Sequence, residues 1–484
     1  MDERLPSRRA CLGTLLAAAL PISSGQAAQP SNAPKSLEQL QATLPDSWAW
    51  KWVVEPVFGS KILLLEAGQQ HAQTLLLVHG LGNDGLTDWL QVLPTLAQQY
   101  HVITLDLPGF GFSEKPTGKY SPSNYAQVLH DVLLRSRQDR GNDEPAIVVG
   151  HSLGGAVSLR LAAMYPQDLK QLVLVNAAGI LHRTAFVKHL SQPDAALQGT
   201  SNVAKRAGAR LRSWAERGVE LVAGLPDPSK WLARSDMAWA LTLRRYGNTN
   251  AALALVDEDF SAAVASLAAS NLPTQLIWGS LDDVAPLRTG KTLAARLGNA
   301  QLHVIEGAGH TPMESAVPEF TALLMQVLIQ EPVAQPELVA SSSTRKLHCK
   351  NQVGQRFSGT YDEVLIETSE AIELTNLSAR KMLIKNSTVD LFNVRIDGQA
   401  CALEAVGSRI HMTVGRLSGG VALKTATSRF DLAGVSLQGR DGLAQADAGS
   451  SLIASLCDFQ LGPAPATALH GEFEFPKGAV RVLG

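Results

Sequence analysis

The stretch AIVVGHSLGGAVSLRLAAMYP, residues 146–166, decides how the rest of the chain is read. It begins with a short apolar, β-branched run, passes through Gly150-His151-Ser152-Leu153-Gly154, and continues as a helical pattern closed by Pro166. That is the strand–turn–helix setting in which a Gly-x-Ser-x-Gly pentapeptide carries chemistry. Glycines flank the serine because the turn is so sharp that larger side chains would collide with the neighbouring strand and helix. The turn holds the hydroxyl of Ser152 proud of the sheet. A serine hydroxyl is a poor nucleophile unaided, so a base and an acid that orients the base are sought elsewhere in the chain.

Two later segments supply them. Asp282 lies just past the apolar run TQLIW, in WGSLDDVAP, and His310 lies just past QLHVI, in IEGAGHTPME. The order Ser, Asp, His, each at the C-terminal end of an expected strand, matches one arrangement of hydrolytic triads. Between about Asp46 and Gln330, the runs KILLLE, TLLLV, HVITL, AIVV, QLVLV, TQLIW and QLHVI alternate with helical sequence. Near-continuous apolar runs suit strands covered on both faces, so an α/β fold with a parallel sheet is expected.

With these fragments in place, residues 46–330 resemble the cap-bearing α/β-hydrolases. VHGLG (78–82) resembles that family's oxyanion-hole loop, and DLPGFGFSEKP (106–116) resembles the loop after its next strand. WGSLDDVAP and GAGHTPMESAVPEF resemble its acid and base segments. Carried onto this chain, the resemblance implies that Ser152 is the nucleophile, His310 the general base and Asp282 its partner. The backbone N–H groups of Leu81 and Leu153 would form the oxyanion hole. Asp283 competes as the acid, but the spacing from Gly279 and to Pro286 favours Asp282. Asp106 reads as structural, and His79, His151 and His303 read as satisfied polar residues rather than as the base.

The implied reaction is acyl transfer to water, which calls for no metal or organic cofactor. A serine at position 152 argues against family members with an aspartate nucleophile, such as dehalogenases and epoxide hydrolases. The same triad serves thioesterases, lactonases, amidases, carbon–carbon bond hydrolases and cofactor-free haloperoxidases, which fold alone does not separate. A small-molecule carboxylic ester is the expected substrate. Residues 180–272 break the alternation of strands and read as a helical cap, with Trp214, Trp231 and Trp239 as packing residues.

The character changes after EPVAQPELVASSST (331–344), which reads as a linker. In residues 345–484, Ser387, Ser408, Ser428 and Ser451 are each followed by a glycine: Gly398, Gly419, Gly439 and Gly462. Apolar residues recur mainly two, four and nine positions after each serine, which is strand alternation interrupted by a turn. TSEAIELTNLSA reads as an earlier, degenerate unit. The interval between units, 20 to 23 residues, predicts an all-β solenoid, a parallel β-helix, with a β-sandwich as the alternative. The solenoid is expected to position the enzyme on a partner, a polysaccharide or a cell-surface polymer. A reading from another class makes that binding the main function, with the hydrolase domain secondary. No aromatic ladder for stacking sugars is present, Phe392 and Phe430 being the few candidates.

At 484 residues with 45% hydrophobic and 18% charged content, the chain has material for two or three globular units. A formal net charge of −2 without a basic stripe makes nucleic acid an unexpected partner. Residues 1–30 read as an export signal: Arg4, Arg8 and Arg9 precede ACLGTLLAAALPI, a run too short to span a bilayer. SRRACL resembles a twin-arginine signal, with Cys11 where that pattern favours Phe. A periplasmic or secreted mature chain without a transmembrane span is the expectation. Cys349, Cys401 and Cys457 have no metal-ligand spacing and allow one disulfide at most.

Overall fold

In the computed structural model, residues 36–82, 85–185, 247–333, 343–447 and 449–474 are described, with the backbone of 481–483. The export segment expected at 1–30, the three tryptophans of the expected cap and residues 334–342 of the expected linker lie outside the described residues. An eight-stranded sheet is built from β1 (Ala49–Val54), β2 (Lys61–Ala67), β3 (Thr74–Val78), β4 (His101–Leu105), β5 (Ala146–His151), β6 (Leu169–Val175), β7 (Thr274–Gly279) and β8 (Ala300–Ile305). Its order is β1-β2-β4-β3-β5-β6-β7-β8. The seven apolar runs read from sequence all form strands. β1 was not among them, and it joins β2 antiparallel at the sheet edge, while β2 joins β4 antiparallel. The parallel sheet expected from sequence therefore carries an antiparallel margin.

Strands β3, β4 and β5 are almost wholly buried because helices cover both faces. One face packs on α1 (Pro122–Arg140) and α2 (Leu153–Met164), through Tyr125, Leu129, Ala156 and Leu159 among others. The opposite face carries a second apolar cluster with Trp89, Phe320 and Leu324, the last two from α6 (Val317–Val327). Between β6 and β7 the described chain contains α3 (Gly247–Asp257) and α4 (Ser261–Ser270). Helix α5 (Leu287–Arg296) links β7 to β8. No described helix is long and apolar enough to cross a membrane.

Beyond residue 343 the described chain is all strand: β9 (Lys346–Lys350), β10 (Arg356–Glu367), β11 (Ile372–Lys385), β12 (Thr388–Asp397), β13 (Cys401–Val406), β14 (Arg409–Ala426), β15 (Arg429–Ala446), β16 (Ser451–Leu461), β17 (Thr467–Glu474) and β18 (Arg481–Leu483). From β9 to β16 every pairing is parallel, and β17 and β18 close the set antiparallel. A column of serines explains the sequence period. The N–H of Ser369 donates to Ser387 Oγ (3.0 Å), that of Ser387 to Ser408 (3.2 Å), that of Ser408 to Ser428 (3.1 Å) and that of Ser428 to Ser450 (3.2 Å). Ser369, Ser387, Ser408 and Ser428 each donate their hydroxyl to the carbonyl two residues earlier, which leaves no buried polar atom unpaired at the bend.

The bend itself sits one residue before the serine, at Thr368, Asn386, Gly407, Thr427 and Gly449, all with positive φ. One sequence assignment is corrected here. The fourth repeat enters the column through Ser450, not Ser451, and Gly439 pairs with Leu461 rather than Gly462. Counting from Ser450 restores the apolar spacing, since Leu452 and Ala454 then point into the same core as Phe430 and Leu432. Cys349, Cys401 and Cys457 are all free thiols.

Candidate active site

The five chain segments that matter leave the sheet at the C-terminal ends of β3, β5, β6, β7 and β8, the edge at which open α/β sheets bind ligands. At the end of β5, Ser152 has φ 51° and ψ −116°, a conformation that side-chain-bearing residues rarely adopt. Its neighbours leave no alternative. Its N–H donates to Val175 O (3.0 Å), and its carbonyl accepts from Gly155, Ala156 and Ala178. The flanking glycines are required for the reason expected from sequence. A Cβ on Gly150 would lie 2.3 Å from the Gly154 carbonyl oxygen, and one on Gly154 2.3 Å from that of Val78.

Ser152 Oγ lies 2.9 Å from His310 Nε2, in the loop after β8. His310 Nδ1 lies 3.0 Å from each oxygen of Asp282, in the loop after β7. A carboxylate can only accept, so His310 carries its proton on Nδ1 and offers Nε2 as the acceptor for the serine hydroxyl. The Asp282 side chain is fully buried, and Oδ1 also accepts the N–H groups of Val284 (2.9 Å) and Ala285 (2.8 Å). Asp283, the competing acid, is exposed, whereas the carboxylate that bonds His310 is that of Asp282.

The loop after β3 runs against the serine. A Cβ on Gly80 would meet Ser152 Cβ at 3.0 Å and His151 Nδ1 at 2.8 Å, which puts the chain carrying Leu81 beside the hydroxyl. Leu153 opens α2, so its N–H has no acceptor within the helix. Of the remaining histidines, His79 and His303 are satisfied as expected, whereas His151 keeps Nδ1 buried without a hydrogen-bond partner among the described residues. His79 donates to Gly80 O (2.7 Å) and accepts from the Leu107 N–H (3.0 Å). His151 donates through Nε2 to His310 O (2.9 Å), and His303 pairs with Gln275 (2.9 Å). Asp106 accepts the N–H groups of Leu86 (2.7 Å) and Phe112 (2.8 Å), so it holds its loop in shape.

Asn176, at the end of β6, escaped the sequence reading. Its Nδ2 donates to the carbonyls of Gly309 (2.9 Å) and His310 (2.8 Å), and its Oδ1 accepts the Gly279 N–H (3.0 Å). One amide thereby ties the base loop to the strand that leads to the acid. The only signal in the sequence was a polar residue directly after the run QLVLV, at a strand end that neighbours Ser152.

The buried histidines predict a loss of stability in acid. Burial lowers His79 from its ordinary 6.5 to about 4, and burial aided by the neighbouring His310 lowers His151 to about 3. His182 is likewise lowered to about 4, by burial first and then by His470. A depressed folded-state value means that the unfolded chain takes up protons first. Stability is therefore full above pH 6.5 and falls as the pH drops from 6.5 toward 4. Asp106, raised by burial to about 6, works the other way in the same range, but it is one group against three. The urea midpoint is expected to drop between pH 7.5 and pH 5. A flat midpoint across that range would refute the assignment of neutral buried histidines.

Residues 73–316 match the model of a family described as the alpha/beta hydrolase fold. The chain is similar to an uncharacterized protein of Mycobacterium tuberculosis, at 30% identity over 264 residues that span 51% of this chain and 72% of the relative. It is also similar to Lipase 3 of a Moraxella species, at 28% identity over 262 residues, 54% of this chain and 79% of the lipase. A solved structure of a thermophilic esterase from Thermogutta terrifontis aligns at 22% identity with a TM-score of 0.40, over 58% of this chain and 98% of the esterase.

Proposed function

The chain belongs to the alpha/beta hydrolase fold family and is a hydrolase, and from that premise we propose that it cleaves a carboxylic ester through an acyl-enzyme on Ser152. The observation that carries this reading is the unbroken hydrogen-bond path from Ser152 Oγ through His310 to Asp282. His310 Nε2 takes the hydroxyl proton as Oγ attacks the ester carbonyl. The tetrahedral oxyanion then lies between the N–H groups of Leu81 and Leu153. Removing one such donor costs on the order of a hundredfold or more in rate. His310 returns the proton to the leaving alcohol, then activates the water that releases the acid. Similarity to a protein named Lipase 3 supports an ester over other acyl substrates.

The C-terminal region is read as a solenoid of parallel coils, a reading supported by the serine column and by consecutive parallel pairings. A second ladder supports it: Asn393 donates to Asn376 (2.8 Å), and these two share with Val414, Gly434 and Leu456 a positive φ midway along each coil. The two aromatic residues that could have stacked on sugars are engaged within the chain. Phe430 is buried in the coil core and Phe392 lies under the Lys291 ammonium. Export through residues 1–30 is part of the same proposal.

A series of p-nitrophenyl esters of increasing chain length tests the activity. Turnover, with covalent labelling of the Ser152 peptide by a fluorophosphonate, is the expected result, and the preferred length measures the depth of the acyl pocket. No turnover of any ester would overturn the ester reading and favour carbon–carbon bond hydrolysis on the same triad.

A further inference from the structure

Helix α5 begins where the acid loop ends. The N–H groups of Val284 and Ala285 that hold Asp282 Oδ1 lie in the loop leading into α5, and the Ala285 carbonyl is held by Trp278 Nε1 (2.8 Å). The first turn of α5 thus follows directly on the two N–H groups that hold the carboxylate facing His310. In an isolated hydrolase the face of α5 bearing Arg288, Lys291, Thr292 and Arg296 would be a solvated, strongly cationic surface, since these residues recur at helical spacing. Here it is covered by the C-terminal strands.

The cover is specific. Arg288 donates through Nε to Thr413 Oγ1 (2.8 Å) and through Nη2 to the carbonyls of Met412 (3.3 Å) and Asp431 (2.9 Å), so one guanidinium spans β14 and β15. The same nitrogen faces Asp431 Oδ1 at 2.9 Å in an ion pair. Arg296 pairs with Asp458 of β16, and Lys291 Nζ sits 4.2 Å from the ring centre of Phe392. Gly434 lets the strand pass close: a Cβ there would lie 3.0 Å from Thr292 Cγ2, at φ +65°. A second contact fixes the orientation. The His182 N–H donates to Ser455 Oγ (3.0 Å), Thr184 Oγ1 to Glu472 (3.1 Å), and Leu181 and Ala185 pack on Ala433 and Ile453.

We propose that the C-terminal β region is a brace for the active site, and that Arg288 is a positioning residue which holds α5, and through the acid loop Asp282, in register with His310. The proposal deepens the reading of Ser152, His310 and Asp282 as a triad and rests on it. It assigns the C-terminal region a task within its own chain: its partner is the cationic face of α5. The guanidinium fork is suited to the task because it bonds two adjacent strands at once, which a lysine ammonium does less rigidly.

The test compares the full-length wild type with Arg288→Ala, Thr413→Val and the double variant, on the best p-nitrophenyl ester. The titratable groups facing His310 are Asp282 and His151, whose ring centre is 5.0 Å away. A loosened carboxylate orients the imidazole less well, which slows the proton transfer from Ser152 and leaves substrate binding unchanged. For Arg288→Ala we expect kcat to fall roughly tenfold, with KM changed by less than about twofold. Thr413→Val removes a single acceptor at nearly constant shape and should show a smaller effect of the same kind. The double variant should fall short of the sum, as for residues joined in one network. If Arg288→Ala fails to fold, Thr413→Val decides alone. Folded variants with the wild-type kcat, or with a change in KM alone, would overturn the brace. A wild type that is inert and unlabelled by fluorophosphonate would overturn the triad reading beneath it, so the two failures are distinct.

Discussion

Replacing Ser152 by alanine is expected to lower kcat on the preferred ester by roughly ten-thousandfold or more, the scale of losses when a triad nucleophile is removed. The substitution deletes the atom that bonds to the acyl carbon and leaves His310 without a proton to take. The proposed oxyanion donors at Leu81 and Leu153 are backbone groups and stay in place, so a small residual rate above the uncatalysed one is expected. The fold should tolerate the change. Alanine at φ 51° is no more strained than serine there, and the backbone bonds to Val175, Gly155, Ala156 and Ala178 do not involve the hydroxyl. The check is kcat together with the thermal midpoint. Near-native stability with lost turnover assigns the chemistry to Oγ, whereas more than about a tenth of the wild-type rate would remove Ser152 from the mechanism.

The second large effect is expected at Asp282. Asp282→Asn preserves size and nearly preserves shape, yet should lower kcat by on the order of ten-thousandfold, because it imposes the wrong histidine tautomer. Oδ1 accepts two backbone N–H groups, from Val284 and Ala285, which require an oxygen at that position. The amide nitrogen of the substitute is thus driven to the Oδ2 position, which faces only His310. There it donates to Nδ1, the imidazole proton moves to Nε2, and His310 can no longer accept from Ser152. Asp283→Asn is the internal control. Its side chain is exposed, and the bonds to His310 come from Asp282, so its rate should remain close to wild type. Equal losses at both positions would contradict the assignment of the acid.

The two positions were legible in sequence for different reasons. Ser152 announced itself locally: a turn that tolerates only glycine on either side leaves a mark within eight residues. Asp282 and His310 were found by their place after apolar runs, since a parallel sheet gathers strand ends from distant parts of the chain at one edge. The same logic set aside His303, which lies within a strand. It did not reach Asn176, because nothing around that residue foretells that its amide bridges Gly279 and the loop of His310, more than a hundred positions away. The edge strand β1 was also missed. Its run AWKWVV is broken by Lys51, and Trp52 and Val54 are exposed, so it lacks the continuous, buried apolar run that marks the inner strands.

In the C-terminal region the period was visible, but the fourth repeat starts at Ser450 rather than Ser451. Of the adjacent serines at 450 and 451, only the first keeps the apolar spacing of the other repeats, and the column admits Ser450 because that hydroxyl meets the Ser428 N–H. The α/β class, the placing of Ser152, Asp282 and His310 at strand ends, and an all-β C-terminal region were legible in the sequence, since each depends on spacing along the backbone. The tertiary structure alone decided which oxygen of Asp282 is pinned, what Asn176 ties together, and where the cations of α5 find their partners. Those are contacts between segments remote in sequence, and a linear pattern cannot encode which of many compatible surfaces will meet when the hydrophobic cores close.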